Sequence, residues 1–398
     1  MRVAMTFPHS LGAPGGGTYD CTELARNLVR AGAEVTLLAV GSLGRTRFPR
    51  PRPPEAFSGA DQAESLRRDG VEVIRLERHS LHYLLDGIQV KRTLARLFAE
   101  KPFDAVLGYW SETCFLPSLL RELGVVLAMN AAASHGPLFL PEGRPPPWPR
   151  RLRNEIFHAR PLRRADVVFA RSEFTRGELI ELARVDPRRI EVVHLGVDPR
   201  FFEVPRVERG PVKRLLFFGN LVPEKGLFDA LSALGKLRGT GAMDWTFRVA
   251  GWGDRERVEQ AAREHGIAER VVLLGRLDRP ALLRELEETQ LAVLPSHTES
   301  FGLANAEAQA SGVPVVAYRV AAVPEVVEEG KTGWLVPLRD LERLTGALRE
   351  ALADPRKTFQ AGLAGRERMR NLFSWDLAAR TTLSGLAAAR ARTKAVHG

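Results

Sequence analysis

"LAVLPSHTESFGLANAEAQASGVPVVAY", residues 291–318, decides the fold. "LAVLPS" is a short apolar run closed by proline and serine, and it reads as a strand. "VPVVAY" is β-branched and reads as a buried strand. Between them, a loop holding Glu299 and Phe301-Gly302 enters an alanine-rich stretch with helical character. A strand, loop, helix and second strand make a βαβ unit, which requires a parallel sheet.

The stretch also raises a chemical question. Glu299 and Glu307 stand eight positions apart. On one continuous helix that spacing is about 12 Å of rise and about 80° of rotation. Two such acids do not converge on one bond, as the paired acids of a glycoside hydrolase do at roughly 5–10 Å. They could instead grip one ligand at two points. Glu307, inside the helix, could accept hydrogen bonds from vicinal hydroxyls such as those of a ribose. Glu299, before the helix, could bind hydroxyls further along. Backbone N–H groups of Phe301, Gly302 and Leu303 at the helix start would suit a phosphate, and Gly302 would allow close approach. The same spacing also suits a solvated loop acid and an acid on a helix surface.

Outward from this unit the pattern repeats. "RVAMTF", "AEVTLLAV", "VEVIRL", "FDAVLGYW", "VVLAM", "DVVFAR" and "IEVVHL" read as strands of a first half. "KRLLFFG", "WTFRVAG", "RVVLLG", "LAVLPS", "VPVVAY" and "GWLVP" read as strands of a second. Amphipathic stretches such as "TELARNLVRAG" and "LFDALSALGKL" lie between them. This predicts α/β architecture with two doubly wound parallel sheets. The series restarts at Lys213, after the proline-punctuated "HLGVDPRFFEVPRVERGP". The expected domains are 1–198 and 199–374, followed by a closing helical segment, 375–398.

The bulk numbers agree. A chain of 398 residues is too long for one ordinary core. With 44% hydrophobic and 27% charged residues it reads as globular and soluble. No apolar run approaches the ~18 residues of a membrane span, and the start of the chain carries no signal-peptide pattern. A cytoplasmic location is therefore expected. Cys21 and Cys114 have no motif spacing and read as buried, reduced thiols rather than a disulfide or zinc site. The net charge is +10, with eight lysines against fifty arginines. Such an imbalance also follows from codon usage, and no aromatic-and-basic recognition motif accompanies it, so nucleic acid is not expected as a partner. A basic surface still favours anionic partners. Two segments rich in proline and arginine, 45–54 and 137–164, read as surface loops, or as loops that help to bind an anionic acceptor or a membrane surface. Arg144, Arg150, Arg151, Arg153, Arg163 and Arg164 in the second suggest peripheral contact with an anionic membrane.

Other candidates are local. Lys225, in "FFGNLVPEKGLFDAL", stands in a strand-to-helix loop, where a lysine can meet a diphosphate as a point charge. The same lysine could be an ordinary surface residue. Gly15-Gly16-Gly17 separates the first strand from the first helix, where a ligand crevice opens in such sheets. "GWGDRE", residues 251–256, has Glu256 where a dinucleotide fingerprint needs its third glycine, which argues against an NAD-dependent oxidoreductase. There is no P-loop, no H-E-x-x-H, no nucleophile elbow and no cluster with metal-ligand spacing. No metal or cofactor is expected.

In combination and in order, "FFGNLVPEKG", "FRVAGWGDRERVEQ", "VVLLGRL", "LAVLPSHTESFGLANAEAQASGVPVVAY" and "VPEVVEEGKTGWLVP" resemble the donor-binding domain of glycosyltransferase family 4, retaining enzymes of the GT-B fold. The first half is similar more loosely, through its glycine loop, "ADVVFARSEFTRGELIE" and "IEVVHLGVDPRFF". "FSWDLAAR" resembles the helix that crosses back to the first domain. The resemblance implies two Rossmann-like domains facing a cleft, with acceptor loops in the first and the nucleotide sugar in the second. It implies sugar transfer from a UDP- or GDP-linked donor to an acceptor hydroxyl of a glycan, lipid or small molecule, with retention of configuration and without a metal.

By position, Glu299 would contact the donor sugar, Glu307 the ribose, and the Phe301–Leu303 backbone the diphosphate. Lys225 would neutralise the departing phosphate. Gly219 would end the strand that leads there, and Gly16 would lie near the diphosphate from the opposite domain. Two positions depart from the family pattern. Asn220 stands where an arginine is usual, and Arg276 could supply the missing charge. Asn130 stands where many members have a histidine near the reaction centre, and His135 could take that catalytic part. A sugar-nucleotide hydrolase or epimerase of the same fold is an alternative, and the two departures would support a degenerate, nucleotide-sugar-binding member.

Overall fold

The structure is a computed structural model, and it describes residues 1–12, 16–41, 62–77, 82–133, 135–140, 143–237 and 244–397. The chain divides into two compact units, Met1–Leu195 with Trp375–Gly398, and Gly196–Ser374.

The first unit is built on a seven-stranded sheet. Its strands are β1 (Arg2–Phe7), β2 (Glu34–Val40), β3 (Glu72–Leu76), β4 (Ala105–Gly108), β5 (Val126–Ala131), β6 (Val167–Ala170) and β7 (Ile190–Val192). They run in the order β3-β2-β1-β4-β5-β6-β7, and every pairing is parallel. The strands are apolar and mostly buried on both faces, as a helix-covered parallel sheet requires. Helix Gly16–Arg30 illustrates how local sequence makes the cover. Cys21, Leu24, Ala25 and Leu28 form its buried stripe. Gly32 ends it in a left-handed turn (φ 89°), with the Ala33 N–H bonded back to the Leu28 carbonyl. Helix Trp375–His397 belongs to this unit. The Trp375 Nε1–H donates to the Tyr19 hydroxyl at 3.4 Å, and Arg390 pairs with Asp104 at 2.6 Å.

The second unit is a six-stranded sheet of β8 (Arg214–Phe218), β9 (Thr246–Ala250), β10 (Val271–Gly275), β11 (Leu291–Val293), β12 (Val315–Tyr318) and β13 (Gly333–Val336). Its order is β10-β9-β8-β11-β12-β13, again parallel throughout. Aspartates start four of its helices. Asp254, Asp278, Asp340 and Asp354 each accept a backbone N–H two or three residues into the helix they cap.

All thirteen strands read from the sequence are present, and both sheets reverse direction once, so this is the doubly wound plan in duplicate. The units divide at Leu195/Gly196 rather than between 198 and 199. The residues just after the break belong to the second unit. Phe201 is fully buried there, and Arg206 donates to the carbonyls of Leu286, Glu287 and Thr289 at a helix end. The expectation of a loop over 137–164 is overturned. Residues 148–164 form one continuous run of helical turns: Trp148–Asn154, a π-turn Glu155–Ala159, and Arg160–Arg164. Pro149 lies in the first turn, where no N–H is needed, and Pro161 follows the π-turn. The segment 45–54 lies outside the described residues. Cys21 is buried and Cys114 only partly so; both are free thiols.

Candidate functional site

In each unit, strands are added to one side of the sheet and then to the other. In the second unit the change falls between β8 and β11. The loops leaving the carboxyl ends of these two strands meet at this edge of the sheet, which is where ligands usually bind in such folds. Lys225 lies in the loop after β8 and Glu299 in the loop after β11, and both stand at that edge.

After β8 the chain makes a short 3-10 turn, Pro223–Lys225, and Gly226 links it to helix Leu227–Lys236. Gly226 is left-handed (φ 72°), and a Cβ there would lie 1.8 Å from the Pro295 carbonyl oxygen. Only glycine lets the two loops close to this distance. They are then joined: the His297 N–H donates to the Glu224 carbonyl at 2.8 Å. The His297 ring and the Tyr318 hydroxyl both meet Asp229, at 3.0 and 2.8 Å. Burial and the Asp229 carboxylate push the Tyr318 phenol well above its usual range.

Glu299 is held by its main chain, whose carbonyl accepts from the Ala322 N–H at 3.1 Å. Its carboxylate receives the Lys225 ammonium at 2.5 Å. The pair is accessible, with the lysine side chain 35% exposed and the glutamate 15%. Phe301 turns inward against Phe373, so only its backbone faces the loop. Gly302 (φ 91°) starts helix Leu303–Ala310 without a side-chain cap. The N–H groups of that first turn stand at the positive end of the helix dipole, where negative charge is favoured.

Glu307 lies within the same helix and is only 7% exposed. It is not the helix-surface acid its spacing allowed. Arg279 donates to its Oε1 at 2.6 Å, lies over the Phe201 ring at 4.9 Å and approaches Asp198 at 3.9 Å. Burial raises the Glu307 carboxyl above its ordinary value, Arg279 opposes this, and Asp198 adds to it.

The sequence candidates thus divide. Lys225 and Glu299 are brought into direct contact, and Phe301, Gly302, Leu303 and Glu307 share one loop and helix. Gly219 and Asn220 end β8, with Asn220 exposed. Arg276 is exposed just after β10. The arginine that pairs with Glu307 is Arg279, three residues further on. Its place at the start of a helix capped by Asp278 was the available signal.

Gly16, Asn130 and His135 belong to the first unit. Gly16 is exposed at the start of its helix, and a Cβ there would meet nothing within 4 Å. Asn130 is buried at the end of β5, where its amide donates to Asp20 at 3.4 Å. Asp20 is itself locked to the fully buried Arg171 at 2.5 Å, so Asn130 joins a buried ionic network. His135 lies in the next loop, 4% exposed. Glu178 accepts the backbone N–H groups of His135 and Gly136, at 2.9 and 2.7 Å. Its ring stacks near Trp110 and Phe139, its Nδ1 is buried without a hydrogen bond, and burial pushes its pKa down to about 4. With Trp110, Asn130 and His158 it lines a small pocket. Sequence reading missed Trp110 and His158. Glu112, beside them, is buried and accepts the N–H groups of Tyr109 and Trp110 and the Thr6 hydroxyl. Burial raises its carboxyl to about 7.

Among the described residues no three His, Cys, Asp or Glu side chains gather as metal ligands would. The donor set of the second unit is instead two carboxylates, two cations and a helix terminus. Such a set suits one ligand carrying both hydroxyls and phosphate.

Residues 202–368 match the family described as Glycosyl transferases group 1, and residues 15–196 match the Glycosyl transferase 4-like domain. The glycogen synthase of Mycobacterium tuberculosis is 34% identical over 233 residues, 58% of this chain and 56% of that protein. Of that enzyme and of the D-inositol 3-phosphate glycosyltransferase of Mycobacterium marinum, the chain spans about half the length. A GDP-mannose-dependent α-(1-6)-phosphatidylinositol monomannoside mannosyltransferase of Mycolicibacterium smegmatis is 29% identical over 356 residues, 84% of this chain and 89% of that one. Among solved structures, a glycosyltransferase from Rickettsia africae superposes with a TM-score of 0.76 at 17% identity, covering 98% of both chains. Anabaena HepE, solved in complex with UDP, gives 0.74 at 18% identity, covering 98% of this chain and 100% of that one. These two likenesses show the GT-B fold.

Proposed function

The chain belongs to the glycosyl transferases of group 1, and from that premise we propose that it moves a sugar from a nucleoside diphosphate donor to an acceptor hydroxyl. The observation that carries this reading is the pairing of Lys225 with Glu299 and of Arg279 with Glu307 at the carboxyl edge of the second sheet. The buried Glu307 carboxylate, held by Arg279, accepts hydrogen bonds from the ribose hydroxyls. The uncapped start of helix Leu303–Ala310 receives the diphosphate. Lys225 meets the leaving phosphate, and Glu299 meets the hydroxyls of the sugar.

In this reading the Lys225–Glu299 pair opens when donor binds. The ammonium passes from the carboxylate to the diphosphate, and the freed carboxylate takes up the sugar hydroxyls. Leaving-group charge is met by Lys225 and the helix terminus, so we propose transfer without a metal. Attack from the face the leaving group vacates, assisted by the leaving phosphate, gives retention with no covalent nucleophile. Turnover is therefore expected to persist in EDTA.

A relative named for GDP-mannose and a structural neighbour solved with UDP support UDP- or GDP-linked sugars as the donor class. Relatives named for glycogen, inositol phosphate and a phosphatidylinositol mannoside support a glycan, small-molecule or lipid acceptor. No described helix is long and apolar enough to cross a membrane. A cytoplasmic location belongs to the same proposal, since two free thiols suit a reducing compartment.

The test is a thermal-shift panel of UDP, GDP, ADP and their common sugar conjugates on wild type, Lys225→Ala and Glu307→Gln. A ligand at about a hundred times its dissociation constant adds about 2.7 kcal/mol. One nucleotide family should stabilise the wild type, and both variants should lose the response. If no nucleotide shifts the wild type, the donor site is refuted. Binding without turnover of any acceptor would favour the degenerate reading, which Asn220 and the self-neutralised Lys225 support.

A further inference from the structure

We propose that the helical turns 148–164 of the first unit form a docking face for an anionic lipid surface. Trp148, Leu152 and Ile156 recur every fourth residue, which places them in one stripe on a helix. They are 70%, 49% and 38% exposed. A tryptophan exposed to that degree is the largest apolar side chain this protein offers to solvent among the described residues. The opposite side holds the segment to its unit. Asn154 is buried and its amide donates to the Leu138 carbonyl at 2.8 Å, and His158 and Leu162 are buried below it.

Charge selects the occupant. Residues 143–164 contain seven arginines and one acid, Glu155, and Glu155 is paired with Arg163. Arg144, Arg150, Arg151, Arg160 and Arg164 are exposed. Basic side chains around an exposed Trp-Leu-Ile stripe match the bilayer interface, where the tryptophan ring sits at head-group depth and arginines meet anionic phosphates. A protein partner's apolar patch would not call for so large an excess of one charge. This inference does not depend on the donor reading, because vesicle binding is measured without sugar nucleotide.

The experiment is co-sedimentation with vesicles of phosphatidylcholine alone and of phosphatidylcholine mixed with phosphatidylglycerol, at low and high salt. Wild type, Trp148→Ser/Leu152→Ser and Arg150→Gln/Arg151→Gln are compared. The wild type should bind only the phosphatidylglycerol vesicles, lose binding in high salt, and show a blue shift in tryptophan emission. Either double variant should bind about tenfold more weakly while keeping the wild-type melting temperature, since all four side chains are exposed. Three results would overturn the proposal: no binding to phosphatidylglycerol vesicles at low salt, variants that bind as the wild type does, or equal binding to both kinds of vesicle. A dimer that Trp148→Ser abolishes, with no vesicle binding, would assign the stripe to a second copy of the chain.

Discussion

Glu307 and Arg279 set the chemistry at the residue scale, because each makes the other tolerable in a buried place. Removing one partner of such a pair costs about 3–5 kcal/mol. Arg279→Ala should therefore lower the melting temperature strongly. The sign of its pH dependence follows from Glu307. Its carboxyl is already raised in the folded state, so its contribution is lost as pH rises, and without the arginine it rises further. The deficit should be larger at pH 8 than at pH 5, and Glu307→Gln on the Arg279→Ala background should remove most of that difference. An equal deficit at both pH values would mean that Glu307 is not the group left unpaired.

In the proposed function, Glu299 would compete with the diphosphate for Lys225. The pair is partly exposed, so its strength is about 1 kcal/mol at most. Glu299→Gln should tighten UDP or GDP binding about two- to five-fold by calorimetry, while turnover with the sugar conjugate falls. Weaker nucleotide binding in this variant would remove the exchange step from the proposed mechanism. His135 and His158, both pushed down to about 4 by burial, stay neutral in the folded state. Between about pH 6.5 and pH 4 the unfolded chain takes up protons that the folded one does not, so stability is lost as pH falls through that window. His135→Asn should flatten this loss in urea titrations from pH 7 to pH 4.5.

At the scale of elements, the site depends on two loops being stitched together before any ligand arrives. Gly226 is the stitch. Gly226→Ala combines a left-handed backbone with a 1.8 Å approach to the Pro295 carbonyl oxygen, and it should cost about 3 kcal/mol or more. Denaturant melts should show that loss together with the loss of nucleotide response, because the displaced loop carries Lys225. A variant of full stability would show that the loops tolerate separation. The strands were legible because each is a short apolar run between turn signals, and four helices of the second unit announce themselves with a capping aspartate. The turns 148–164 were not legible. Their prolines and arginines resemble loop composition, and only the packing of Asn154, His158 and Leu162 makes a helix of them.

At the scale of the whole molecule, sequence order and spatial membership differ. Helix Trp375–His397 follows the second unit in the chain but belongs to the first, where it buries Trp375, Ala379, Leu386 and Ala389. Deleting Trp375–Gly398 should therefore destabilise the first unit and leave the second able to bind nucleotide. Limited proteolysis should then yield a resistant fragment near 196–374. If the second unit is the one degraded, the assignment of that helix is wrong.

What the sequence by itself determined was the alternation of strands and helices, two sheets rather than one, the family, and the loop that carries Glu299 and Glu307. All of these follow from local periodicity, turn residues and motif order, which the chain carries along its length. What only the tertiary structure decided was which charges meet. Lys225 and Glu299 are 74 residues apart and touch. Glu307 meets Arg279, 28 residues earlier in the chain. Asn130 was drawn into a buried network with Asp20 and Arg171. Such pairings depend on where parallel strands bring their carboxyl-end loops together and on how deeply each charge is desolvated, and neither is written in neighbouring residues.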